Sequence, residues 1–247
     1  MSVRRSLVLA FAFILPTVIF VGPLILYNKV TFGNVTLTAQ TGTHLANWII
    51  PAVRKAENGT PLRITRNEMR EKYLSKLDHL GIKDPDMFEE SQILTSLAFK
   101  ELSESSSVAI AKAWLKGMAI NLLAPAILID TRVRAMSTQS FYNLDAPNFI
   151  SKVISYVAGN NFLYLLLFIL GIVGSVTTFG VSLYGLLLLW VRFPWAATFS
   201  FLAVMYFLFV NGPVASPKYR LPVEPIILVT VSLGILGFWD KFHTSKR

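Results

Sequence analysis

One stretch near the end of the chain carries two cations, a phenol and a carboxylate among prolines. It runs from Ser216 to Pro225 and contains Lys218, Tyr219, Arg220 and Glu224. Lysine and arginine side chains bind phosphate-like anions, and a tyrosine hydroxyl supplies a further hydrogen-bond donor. The residue types therefore predict an anion-binding site at Lys218, Tyr219 and Arg220, with Glu224 at its wall. We assign no catalytic role to Glu224, for which a structural hydrogen bond is the simpler role.

The same stretch lies between two apolar runs. Residues 195–210 precede it and residues 226–239 follow it, and neither run contains a charge. This position predicts a membrane interface, where ionisable side chains are costly and typically functional. The alternative is that Lys218 and Arg220 only extend their charges towards water, while Tyr219 belongs to an interfacial aromatic belt. The residues alone leave both interpretations open.

The overall composition predicts an integral membrane protein. The chain has 247 residues, of which 53% are apolar, and its mean hydropathy is +0.54. The lack of cysteine excludes disulfides, thiolate metal ligands and cysteine nucleophiles. Three scattered histidines lack metal-ligand spacing, so we identify no metal site and no cofactor. The net charge of +9 suits anionic lipids or a phosphate ligand, and no basic stripe with interleaved aromatics indicates nucleic-acid binding.

Four apolar segments predict transmembrane helices, namely residues 6–27, 162–191, 195–210 and 222–239. The second of them is longer than one bilayer core requires. We interpret it as a single tilted helix, because two crossings would need a turn inside hydrocarbon with unsatisfied backbone groups. The predicted fold is an all-α integral membrane protein with about four spans. Its parts are an N-terminal span (1–27), a mainly helical external loop region (28–161) and a C-terminal bundle (162–247).

The external region predicts several local elements. A helix from Asn67 to Leu80 is closed by Gly81, and a second begins at Asp84-Pro85 and ends near Ser103. Alternation along residues 35–39 predicts a short extended segment. Residues 107–129 are apolar but carry two lysines on one helix face, which favours an interfacial amphipathic helix. A fifth span at this place is the alternative.

Charge placement predicts the orientation of the four spans. The positive-inside rule puts the N-terminus, Arg192 and the basic tail in the cytoplasm, and Lys218 and Arg220 outside. Topology reporters fused at Gly81 and Asn148 are therefore expected to read external, and a fusion at Lys246 to read cytoplasmic. An external Lys246 with a cytoplasmic loop at Pro213 would contradict this topology.

Two motifs in this order resemble those of a known enzyme class. Tyr219, Arg220, Leu221, Pro222 and Pro225 fit an R-Y-R-L-P-x-x-P segment, with Lys218 in place of its first arginine. An earlier pattern, R-N-x-x-x-F-G-x-x-x-L-S-x-x-x-G-x-x-L, is matched by Asn28, Phe32, Gly33, Leu37, Thr38, Gly42 and Leu45, with Tyr27 in place of arginine. Both segments are similar to polytopic GT-C glycosyltransferases, the class of protein O-mannosyltransferases and the aminoarabinose transferase of lipid A.

The resemblance implies a donor sugar on a polyprenyl phosphate, with the KYRLP segment near the phosphate at the outer face of the inner (plasma) membrane. It covers only the latter part of such an enzyme. The class places an acidic catalytic base in the first external loop of a seven-helix module, and nothing in this chain fits that motif. The chain is therefore expected to need a catalytic partner subunit, with which a divalent metal is possible. A non-catalytic accessory subunit of a larger membrane complex is the alternative.

Overall fold

A computed structural model of the chain describes residues 3–137, 141, 144 and 146–244. This part of the chain consists of helices and connecting loops without any β-strand. Four of its helices are long and apolar enough to cross a membrane, which confirms the predicted all-α membrane protein. The chain forms two compact units, residues 1–106 and 107–247. They divide inside the predicted external region, and the division into three parts stays a prediction.

The first unit begins with a long apolar helix, α1 (Val3–Phe32), which contains Pro16 and Pro23. It runs past the predicted end at residue 27. Near its end the Asn28 amide donates a hydrogen bond to the Thr36 carbonyl at 2.7 Å. That bond fixes the loop that follows, so residues 34–39 form an irregular segment. The extended segment predicted there makes no strand, because no partner strand exists in the described part of the chain.

The rest of the first unit is a helical layer that includes a continuous run of three elements: α2 (Gln40–His44), a π-helical turn (Leu45–Ile49) and α3 (Ile50–Asn58). Two longer helices complete it, α4 (Leu62–Leu80) and α5 (Met87–Glu104). Their shared core contains Ala46, Ile50, Met69, Leu94 and Ala98. This buried cluster lets the layer fold although its helices are short or polar on their outer faces.

The predicted boundaries of α4 and α5 are partly right. Gly81 ends α4 in the left-handed conformation (φ 69°), as expected. The start at Asn67 is wrong, because α4 begins at Leu62 directly after Pro61, without a side-chain cap. Helix α5 begins at Met87, where Asp86 and Glu89 form a reciprocal capping box. The sequence therefore correctly predicted a helix that begins after an aspartate in this segment, but the capping residue is Asp86 and not Asp84.

The second unit opens with α6 (Ser107–Leu123), which Pro125 follows after one residue. The remaining elements before the long helices are a 3₁₀ turn (Ala126–Ile129), α7 (Thr131–Ala135) and α8 (Phe149–Ala158). The predicted helix over 107–129 is thus interrupted near residue 124, since a proline disfavours helix at the residue before it. Helix α6 is not among the four candidate spans. Lys112 and Lys116 lie exposed, as expected for one polar face.

Three candidate spans complete the second unit. Helix α9 (Phe162–Arg192) is a single continuous helix of 31 residues, as predicted. Phe193 makes the turn to α10 (Pro194–Asn211), and a 3₁₀ turn (Pro217–Val223) leads into α11 (Glu224–Thr244).

Helices α9 and α11 share the most extensive contact of the second unit. The Ser182 and Thr230 hydroxyls lie 2.6 Å apart across it. The helices approach so closely at Gly185 that a methyl group there would lie 1.7 Å from the Thr230 carbonyl oxygen.

Candidate functional site

The predicted anion-binding residues lie on the 3₁₀ turn between α10 and α11. Two prolines, Pro217 and Pro222, lie in this turn and restrict its backbone. The Tyr219 backbone amide donates to the Ser216 carbonyl at 3.1 Å, and this bond closes the first turn of the 3₁₀ segment. The chain therefore places Lys218, Tyr219 and Arg220 on successive positions of a tight turn.

Helix α6 holds the loop that leads into this turn. Asn121 is fully buried, and its amide donates to the Val214 carbonyl at 3.0 Å. Its side-chain oxygen accepts from the Ser216 amide at 2.7 Å. Trp114 donates from its indole nitrogen to the Phe209 carbonyl at 3.2 Å. One helix face therefore fixes the end of α10 and the start of the turn.

Close backbone contact adds to these hydrogen bonds. A methyl group at Gly117 of α6 would lie 2.4 Å from the Gly212 carbonyl oxygen and 2.6 Å from the Pro213 Cα. Gly212 itself has a φ of 54°, a conformation that L side chains rarely adopt. The approach of α6 to this loop thus requires a small residue on each side.

The Arg220 guanidinium connects two helix ends. Its Nε donates to Glu224 Oε1 at 2.6 Å, and its Nη1 donates to the Leu122 carbonyl at 2.7 Å. That carbonyl lies in the last turn of α6, where backbone acceptors lack helical partners and the helix dipole favours a cation. Glu224 begins α11, where the dipole favours an anion. The side chain of Arg220 is 14% exposed and that of Glu224 is 33% exposed, so both contacts are partly shielded from water.

Arg220 and Glu224 lie at an apolar cavity of about 450 Å³ within the second unit. Helices α9, α10 and α11 supply most of its wall, together with Leu122 and residues 125–127. Arg220 and Glu224 are the two charged residues of that lining. Ser175, Thr178 and Ser182 of α9 are among its few polar side chains. Small-ligand sites of this size typically combine apolar walls with a few polar groups, as this cavity does.

Lys218 and Tyr219 differ from Arg220 in their surroundings. Lys218 is exposed, and its Nζ lies 5.1 Å from the centre of the Tyr219 ring. Neither residue belongs to the lining of the cavity at Arg220. The structure thus brings Arg220 and Glu224 together, and leaves Lys218 and Tyr219 out of the cavity lining. Their binding of a lipid phosphate stays a prediction.

Sequence reasoning missed the contribution of α6. Asn121 and the Leu122 carbonyl position the turn and Arg220, yet they lie far from it in sequence. One signal was available: Asn121 is an amide in an otherwise apolar run, and such a side chain, once buried, must find hydrogen-bond partners. The cavity residues of α9 also show helical spacing, with Ser175, Thr178 and Ser182 on one face.

Glu57, Asp130 and Asp145 are the first acids of the predicted external region to examine as a catalytic base, should the isolated chain prove active. Glu57 accepts a hydrogen bond from the Ser106 amide at 2.8 Å. Hydrogen bonds from the Arg132 side chain and backbone lower the pKa of Asp130 to about 2. A carboxylate with so low a pKa is a weak general base near neutral pH. Asp145 lies outside the described residues.

Within the described residues no three His, Asp or Glu side chains lie together as metal ligands. The donor set near Arg220 is a single carboxylate already bonded to a cation, which does not fit a divalent metal.

No protein-family model, no curated protein and no solved structure shows a significant match to this chain. The resemblance to GT-C glycosyltransferases therefore rests on its two motifs alone and stays a prediction.

Proposed function

We propose that this chain is the C-terminal module of a membrane glycosyltransferase that handles a sugar linked to polyprenyl phosphate. The single observation that carries the proposal is the apolar cavity with Arg220 at its edge. A polyprenyl phosphate is a long apolar chain with one anionic end. The cavity supplies apolar walls for the chain, and the guanidinium supplies charge-assisted donors for the phosphate. The outer face of a plasma membrane is the proposed place, from charge placement and the motif resemblance.

Glu224 sets a condition on this proposal. It accepts a short hydrogen bond from Arg220 and carries the same sign of charge as a phosphate. A phosphate that binds Arg220 must therefore compete with the Glu224 carboxylate for the guanidinium. Arginine has more N–H donors than the two used here, so a further acceptor can be accommodated when Glu224 moves aside. The Leu122 contact keeps the guanidinium in place during such an exchange.

Substitutions at this pair test the binding. Arg220→Ala is expected to weaken binding of a purified polyprenyl phosphate by roughly 10- to 150-fold, the equivalent of about 1.5–3 kcal/mol for a charge-assisted contact. Arg220→Lys is expected to restore only part of the affinity, since an ammonium lacks the guanidinium fork. Glu224→Gln keeps the size of the side chain and removes the competing charge, and is expected to raise the affinity. Calorimetry in detergent measures all three.

Arg192→Ala is the matched control, because Arg192 is exposed at the far end of α9. It is expected to leave the affinity unchanged. Equal affinities of Arg220→Ala and Arg192→Ala, in preparations with equal melting temperatures, would contradict the proposal. So would a Glu224→Gln protein that binds the lipid no better than the parent chain.

A specific observation also favours the second candidate, a non-catalytic subunit of a larger membrane complex. Arg220 is already bonded to Glu224 and to the Leu122 carbonyl, as expected of a residue that only joins helices. In that case Arg220→Ala lowers the melting temperature, while Glu224→Gln leaves lipid affinity unchanged. The two variants together thus separate the two functions.

The isolated chain is expected to show no sugar transfer. Glycosyl transfer needs a general base for the acceptor, and the acidic motif of the class has no counterpart in this sequence. The measurement is release of labelled sugar from a polyprenyl phosphate donor by the purified protein, with a complete enzyme of the class as the positive control. Turnover by this chain alone would contradict the proposed need for a catalytic partner subunit and would direct attention to Glu57, Asp130 and Asp145.

A further inference from the structure

Helix α8 carries an apolar face whose side chains remain exposed to a substantial fraction. Ile150, Val153, Ile154 and Val157 recur at the spacing of one helix face. Their exposed fractions are 70%, 36%, 62% and 50%. The helix begins at a capping box of Asn148 and Ser151, so its start is fixed by its own sequence. We name these four residues the α8 apolar face.

The side of α8 that lies away from the α8 apolar face contacts the protein. Tyr156 is 5% exposed, and its hydroxyl lies 2.7 Å from that of Tyr164 on α9. Lys152 places its ammonium 5.2 Å from the centre of the Phe141 ring. The helix is therefore held to the second unit through Tyr156. The α8 apolar face points in a different direction, about a quarter-turn away at 3.6 residues per turn.

The connection to α9 limits where α8 can lie. Residues 159–161 link the two helices, so the last residue of α8 lies within about 14 Å of the first residue of α9. Helix α9 has 31 residues and is about 46 Å long, which exceeds a hydrocarbon core of about 30 Å and reaches the headgroup regions. The start of α9, and α8 with it, therefore belongs to the interfacial zone of the bilayer.

We propose that α8 is a membrane-surface helix, whose α8 apolar face inserts into the bilayer at the boundary between headgroups and acyl chains. The occupant of this face is lipid, because the face bears no charge and the start of α9, which follows closely in the chain, also exposes apolar side chains at Phe162 and Leu163. Lys152 is the one ionisable side chain besides Tyr156 on the helix and suits anionic headgroups. This placement requires only that α9 spans a membrane, so it is independent of any ligand at Arg220.

The lack of cysteine in the chain allows single labelling sites. Val157→Cys lies on the α8 apolar face, whereas Ser155→Cys lies on the opposite side of the same exposed helix turn. The full-length variants are labelled with an environment-sensitive fluorophore and reconstituted into vesicles of phosphatidylcholine and phosphatidylglycerol. Quenching by nitroxide-bearing lipids and by aqueous iodide is then measured for each.

The label at residue 157 is expected to be quenched at least several-fold more by the lipid nitroxides than the label at residue 155, with the reverse order for iodide. Equal iodide quenching at both sites would overturn the proposal. Protection of residue 157 from both quenchers would also overturn it, because protein such as a second copy would then cover the face. Ile150→Cys, about two helix turns earlier on the same face, repeats the test should Val157→Cys fail to fold.

Discussion

Gly185→Ala is expected to destabilise the contact of α9 with α11 by about 3 kcal/mol or more, the upper end of the usual cost of overpacking. A methyl group at this position would lie 1.7 Å from the Thr230 carbonyl oxygen. The obstacle is backbone, so no change of side-chain rotamer can relieve it. The helices must therefore move apart, which also breaks the hydroxyl contact of Ser182 with Thr230. Thermal denaturation in detergent and hydrogen exchange of α9 and α11 measure the loss.

Gly180→Ala is the matched control, since Gly180 lies on the same helix and its added methyl group would meet nothing within 4 Å. Alanine also favours helix over glycine by about 1 kcal/mol, so this control is expected to be neutral or slightly stabilising. A melting temperature of Gly185→Ala equal to that of Gly180→Ala would mean that α9 and α11 do not approach as closely as described.

Glu101→Ala is expected to destabilise the first unit strongly. The Glu101 carboxylate accepts hydrogen bonds from Arg54 and Lys72, and its side chain is only 8% exposed. Removal of one member of a buried ion pair typically costs about 3–5 kcal/mol. Because Arg54 and Lys72 reach solvent in part, we expect the lower end of that range. Hydrogen exchange along α5 measures the loss locally, and Glu104→Ala, an exposed position of the same helix, is the control.

The same carboxylate predicts a pH dependence. Burial alone would raise the pKa of Glu101, but hydrogen bonds from Lys72 and Arg54 outweigh it and lower the pKa below its usual value of 4.5. Its contribution to stability is therefore complete above the usual pKa and is lost as the pH falls through the lowered folded value. In Glu101→Ala this part of the acid sensitivity is expected to disappear. Identical acid profiles of the variant and the parent chain would contradict the assignment.

The features that follow from local chemistry were predictable from the sequence. The continuous α9 follows from an uncharged run in which a turn would leave backbone groups unsatisfied inside the membrane. The end of α4 at Gly81 follows from the left-handed conformation that glycine accepts. Arg220 and Glu224 are four residues apart, and Glu224 accepts a hydrogen bond of the kind expected for it. Each of these inferences needed only residues that are near in sequence.

The features that depend on distant residues were not predictable. The start of α4 at Leu62 has no capping side chain, and its first turns instead bury Thr65 and Met69. The partner of the Arg220 guanidinium is a carbonyl at Leu122, and no side-chain pattern marks a carbonyl as an acceptor. Likewise, the cavity arises from helices that are separated by up to a hundred residues. Spacing within one segment carries no information on such contacts.

The attachment of the loop before Arg220 to α6 has a consequence for any ligand of that turn. The Asn121 side chain hydrogen-bonds the loop backbone at Val214 and Ser216. Gly117 lets the backbone of α6 approach the loop backbone closely. A flexible loop loses conformational entropy when a ligand orders it, at a cost of about 0.5–1.5 kcal/mol for each immobilised side chain. This loop is already ordered before binding. The site is thus preorganised. Asn121→Ala is therefore expected to lower the affinity for a ligand at this turn through the entropy of ordering the loop, although Asn121 does not contact the ligand.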